Sequence, residues 1–179
     1  MTGDLIPAKV LATHTIANVS ETLAEKLGLP PQYRSIGIIT ADSDDVTYCA
    51  LDEATKAAAV EVVYGRSLYA GATNASTKLA GEVIGILAGP NPAEVQSGLR
   101  ACAEFMDSGV GFRSANEDDS ILYFAHTVSR TGTYLSKTAH VREGEALAYL
   151  IAPPLEAVVG LDEALKASDV ELAALFEPP

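Results

Sequence analysis

Along the chain, the spacing of apolar and polar positions changes period several times, and each change predicts an element. "PAKVLATHTIANV" (Pro7–Val19) alternates loosely and predicts a strand. Ser20 then caps a short helix that carries Leu23 and Leu27 on one face, and Gly28 with the following "LPP" closes it. The isoleucine-rich run "SIGIITA" (Ser35–Ala41) predicts a buried strand. "DSDDVTYCA" reads as a loop passing into a brief extended piece, after which Asp52 caps a helix through Ala59 and "VEVVY" returns to strand. A stretch of small residues leads to the strand "EVIGILAG". Asn91 as cap, Pro92 in the first helical position and Glu94 three residues past the cap then open a helix with a capping box. Helices laid on a mixed or antiparallel sheet make the fold class α+β.

The pattern is written twice. "LDEATKAAAVEVV" (Leu51–Val63) and "LDEALKASDVELA" (Leu161–Ala173) share eight of thirteen positions at a separation of 110 residues. The strand-and-turn segment "SILYFAHTVSRTGTYL" and the strand "EALAYLIA" precede the second copy as their counterparts precede the first. A period of this length means two whole units rather than a solenoid. The expected division is residues 1–106 and 107–179. The first copy continues after Val63 with a strand and a capped helix, whereas only "ALFEPP" follows Ala173, so the second unit is expected to be incomplete.

Composition narrows the classes. With 48% hydrophobic and 20% charged residues the chain has enough apolar side chains to build a core. No apolar run approaches the roughly 20 residues of a membrane span. The N-terminal "MTGDLIPAKV" carries an early acid and no long apolar h-region, so neither a membrane partner nor a signal sequence is expected. The net charge of −12 opposes nucleic acid, whose phosphates demand basic patches. Cys49 and Cys102 have no metal-ligand spacing and read as reduced and buried or half-buried.

The densest charge is Asp42, Asp44 and Asp45 in "TADSDDVT". A calcium loop needs a glycine turn and a later bidentate Glu, and this stretch lacks that glycine. Two readings stay open on the residues alone: a solvated loop with a carboxylate at a helix start, or a site where paired carboxylates bind an ammonium group. "GRSLYAGATNAST" lacks the order of a phosphate loop. His14, His126 and His140 have no zinc spacing and are left unassigned, and no nucleophile signature occurs. No catalytic residue, metal or cofactor is expected.

Four segments carry a resemblance: "SIGIITADSDDVTYCALDEATKAAAVEVVYGRSLYAGA", "GEVIGILAGPNPAEVQSGL", "VSRTGTYLSKTA" and "EALAYLIAPPLEA". Together they resemble the tandem-domain shell proteins of ethanolamine-utilisation bacterial microcompartments. The resemblance implies two circularly permuted shell domains per chain and a homotrimer shaped like a hexamer. It also implies tiling with other shell proteins into a cytoplasmic microcompartment shell. Relatives continue past "PP" with a strand and a helix. A gated central pore would pass small metabolites, and small acidic and aromatic channels would bind ethanolamine through positions matching Asp44, Asp45, Glu82 and Phe112. Arg113, next to Phe112, would point away from such a site or weaken it. The pore loops would carry Tyr69 and Gly71 in one copy and Gly132, a candidate hinge, in the other. A soluble amine-binding sensor is the alternative.

Overall fold

A computed structural model describes residues 2–68 and 82–175. The first unit contains strand β2 (Val10–Ile16), helix α1 (Glu21–Leu27), strand β3 (Ser35–Ala41), helix α2 (Asp44–Ala57), strands β4 (Glu61–Leu68) and β5 (Glu82–Gly89), and helix α3 (Pro92–Asp107). Strands β6 (Gly111–Ser114) and β7 (Leu122–Val128), helix α4 (Thr133–Thr138), strand β8 (Leu147–Ile151) and helix α5 (Pro154–Ala167) follow. A short strand β1 (Leu5–Pro7) comes before all of them.

Two four-stranded antiparallel sheets result, one in the order β2-β3-β5-β4 and the other β1-β6-β7-β8. The fold is α+β, as the pattern predicts. Strand β1 joins the second sheet by pairing with β6, Leu5 opposite Arg113.

The repeat is visible in the elements. Helix α2 and helix α5 are each 14 residues long and begin 110 residues apart. The antiparallel pair β2–β3 has its counterpart in β7–β8, and α1 in α4.

Local chemistry explains the ends of the elements. Ser20 accepts a hydrogen bond from the Leu23 N–H, and Gly28 closes α1 at φ 65°, a left-handed conformation that a Cβ disfavours. Asn91 accepts from Glu94 N–H at 3.0 Å, as predicted. The other half of the expected capping box is not formed. The Glu94 carboxylate instead accepts the Ala59 N–H at 2.8 Å, stitching the start of α3 to the end of α2.

Three expectations are corrected. Helix α2 begins at Asp44, not Asp52, because "VTYCALDEATKA" places Val46, Cys49, Ala50 and Ala54 on the face turned to the sheet. The polar turn after β7 is helix α4. The Leu161–Ala173 copy, read like Leu51–Val63 as a helix and a strand, instead falls in part within helix α5, which begins at Pro154, and residues 169–173 form no strand. In the first unit the matching segment is held as β4 by pairing with β5.

The main core joins both units. Ile39, Leu51, Leu87, Val95 and Cys102 of the first pack in one cluster with Phe124, Val128 and Leu135 of the second. A smaller cluster around Ile36, Ile86 and Val19 lies under α1. Cys49 and Cys102 are free and buried, as expected. Burial pushes both thiols up to about 12, so neither is a nucleophile at neutral pH.

Candidate functional site

Asp44 and Asp45 occupy the first turn of α2, where the unpaired N–H groups of a helix favour negative charge. The Asp44 carboxylate accepts the Asp45 N–H at 3.0 Å. Asp45 Oδ1 accepts a hydrogen bond from the Tyr149 hydroxyl at 2.9 Å, a contact that spans 104 residues and joins α2 to β8.

Burial, then the neighbouring Asp44 charge, pushes the Asp45 carboxyl up to about 6, while the Tyr149 hydrogen bond pulls against that rise. The Tyr149 phenol is itself pushed up, first by burial and then by the Asp45 charge, so it is a hydrogen-bond donor throughout the neutral range.

Aromatic rings extend the site. The Tyr149 ring meets Phe124 edge-on with centroids 5.7 Å apart, and the Phe112 ring centroid lies 5.3 Å from that of Phe124. Phe112 is therefore connected to the carboxylates through Phe124 and Tyr149. Glu82 opens β5, one residue before Val83, which pairs with Ala41 at the end of β3. That register puts it at the same end of the first sheet as Asp42, whose Oδ1 accepts the Lys9 N–H at 2.7 Å. Arg113 donates to the Gly3 carbonyl at 3.0 Å, which ties its guanidinium to the segment before β1.

Gly132 caps α4 with an extended backbone, φ −83° and ψ −163°. Its N–H donates to Asp52 Oδ2 at 2.7 Å, the Leu135 N–H donates to Asp52 Oδ1 at 2.8 Å, and the Thr133 N–H donates to Thr55 Oγ1 at 3.1 Å. A Cβ at Gly132 would stand 2.8 Å from the Asp52 carbonyl oxygen and 2.9 Å from Oδ1, so a glycine lets α4 approach α2 this closely. Asp52 lies inside α2 and does not cap its own helix as expected; its carboxylate instead accepts N–H groups at the start of α4. Tyr69 and Gly71 lie outside the described residues.

Sequence reasoning missed Asp52, Phe124 and Tyr149 as parts of this region. Tyr149 carried a usable signal, because at an offset of 110 it stands where the first copy has Ile39. His126 packs between Phe105 and Phe124, and its burial lowers its basicity, a structural setting for a lone histidine. Among the described residues no group of three or more His, Cys, Asp or Glu side chains is placed to hold a metal, and no helix is long and apolar enough to cross a membrane.

Comparison with known proteins gives a consistent result. Residues 35–115 match the model of the BMC domain. The chain is 70% identical to the bacterial microcompartment shell protein EutL of Clostridium perfringens, over all of this chain and 82% of that protein. It is 54% identical to EutL of Salmonella typhimurium, over 98% of this chain and 80% of the relative. The crystal structure of ethanolamine utilization protein EutL from Leptotrichia buccalis superposes with a TM-score of 0.91 at 65% identity, covering all of this chain and 82% of that one.

Proposed function

The chain belongs to the EutL family of bacterial microcompartment shell proteins, and we propose that it is a trimeric tile whose acidic and aromatic site binds ethanolamine. As a member of that family it is a structural component of the shell of an ethanolamine microcompartment in the cytoplasm, not an enzyme. The trimer, the site's ligand and a gated pore are proposed.

The repeat supports the trimer. Within one chain α2 packs on α4, burying Leu135 to 3% exposure and capping α4 with Asp52. The repeat counterparts of these helices are α5 and α1, neither of which buries a residue among the described ones. Leu23, the third residue after its cap Ser20 as Leu135 is after Gly132, is 39% exposed. Packing α5 of one copy on α1 of the next would use the same contact again, and a heterologous contact whose rotation closes gives a ring. With two units per chain, divided at residues 106 and 107 apart from the transferred strand β1, three chains supply six units. Sedimentation is expected to give a species of three times the 18.7 kDa chain mass. A monomer at high concentration would overturn the trimer, and a discrete oligomer that never tiles beside other shell proteins would favour the amine sensor.

The observation that carries the ligand is the Asp44–Asp45 pair at one helix start with aromatic rings behind it. Ethanolamine is a primary ammonium with a hydroxyl. Carboxylates suit the first, and an aromatic face adds a cation–π attraction of roughly 0.5–2 kcal/mol. Glu82 at the sheet end and Phe112 on the flank complete the proposed set. The proposed gate would use pore loops carrying Tyr69 and Gly71 in one copy and Gly132 in the other.

Asp45→Asn is expected to weaken ethanolamine binding by roughly ten- to a hundredfold at pH 8, the loss of one charge-assisted hydrogen bond. Calorimetric titration reads this directly. Unchanged affinity in Asp45→Asn would remove the site.

A further inference from the structure

Both partners of the Asp45–Tyr149 hydrogen bond stand where the other copy of the repeat has an apolar residue. At an offset of 110, Tyr149 occupies the place of Ile39, and Asp45 matches Leu155. Ile39 is fully buried in the core, and Leu155 is 72% exposed on α5. The repeat builds these elements with Ile at one position and Leu at the other, so the fold itself does not require a phenol donating to a carboxylate.

We propose that Tyr149 is a positioning residue of the acidic site: its hydroxyl orients the Asp45 carboxylate and favours its charged form. The proposal rests on the amine-site reading above. The 2.9 Å bond fixes Oδ1 toward β8, and the edge-on packing against Phe124 fixes the phenol that makes it. The second unit thereby holds a ligand-binding oxygen of the first.

The groups that face Asp45 are Asp44 and Cys49 on its own helix and Tyr149 on β8. Burial and the Asp44 charge oppose ionisation, while Tyr149 favours it. The Cys49 thiol, pushed up to about 12, is uncharged. Because Asp45 titrates at about 6 in the fold, above its ordinary 3.8, its ionisation opposes folding above pH 6, and that opposition is relieved as the pH falls through 6. An ammonium ligand needs the ionised form, so its affinity rises as the pH climbs through the same window. Removing the Tyr149 hydroxyl removes a force that favours ionisation, and the window moves to higher pH.

Tyr149→Phe keeps the ring and deletes the donor. Ethanolamine hydrochloride is titrated into the intact wild-type and variant proteins between pH 5 and 8, with the Asp45 carboxyl carbon followed by NMR. The wild-type affinity is expected to reach half its plateau near pH 6. In the variant the midpoint is expected to rise by roughly half to one pH unit, with affinity near the wild-type midpoint down about threefold. Tyr149→Ile, which restores the residue of the first copy, should move the midpoint in the same direction. Wild-type binding with an unchanged midpoint in both variants overturns the role of Tyr149 alone. Absence of binding by the wild type at every pH overturns the amine site and this proposal with it.

Discussion

Asp52→Ala is expected to lower the stability of the protein by about 3–5 kcal/mol, the usual cost of breaking a buried charged network. Asp52 is fully buried, and its two oxygens accept the Gly132 and Leu135 N–H groups at the start of α4. Lys56 lies 3.5 Å from the same carboxylate and is itself mostly buried. Alanine leaves two buried N–H groups without an acceptor and a cation with less compensating charge. Each orphaned group costs about 1–3 kcal/mol. Asp52→Asn keeps one acceptor oxygen and is expected to cost less, about 2 kcal/mol. Urea unfolding checks both: the midpoint should fall with the slope unchanged, as for a pure loss of stability. A midpoint within experimental scatter of the wild type would mean that the contact between α2 and α4 does not depend on this cap.

Phe124→Ala is expected to cost a similar amount, about 3–5 kcal/mol, and to weaken the site as well. Phe124 is 1% exposed, and its ring touches those of Phe112, His126 and Tyr149. Truncation leaves a cavity that the surrounding strands cannot fully close, which adds to the lost burial. It also removes the surface against which Tyr149 and Phe112 are held. Phe124→Leu, nearer in volume, should cost about 1.5 kcal/mol. Thermal unfolding separates the two variants, and ethanolamine titration of whichever variant stays folded reads the second effect. Unfolding of Phe124→Ala at the wild-type temperature would show that the main core closes without this ring.

Much of the fold was legible because its signals are local. Ser20, Gly28 and Asn91 act on backbone groups within four residues of themselves, so their roles can be read from neighbours in sequence. The run from Asp42 to Ala50 reads in sequence as a loop and a brief extended piece, whereas α2 begins at Asp44. The buried face of α2 carries Thr47, Tyr48 and Asp52 beside Val46, Cys49 and Leu51, which blurs the apolar period. Burial there is imposed by the sheet and α3, and polar residues are accepted because Thr47 donates to the Ser43 carbonyl and Asp52 serves α4. At the site, the paired carboxylates were visible as adjacent letters. Their connection to Phe112 was not, because it passes through Tyr149 and Phe124 on two other strands.

By itself the sequence determined the α+β class, the two copies of one unit and the acidic pair at Asp44 and Asp45. These follow from periodicity, from self-similarity at a fixed offset and from residue chemistry, all of which are properties of the chain before it folds. Only the tertiary structure decided which helix Asp52 caps, which sheet Leu5–Pro7 joins and which hydroxyl holds Asp45. Each of those contacts joins residues 80 or more positions apart. Such pairs form because packing the two units in one core brings their buried polar groups within reach, and a buried carboxylate or N–H must find a partner there.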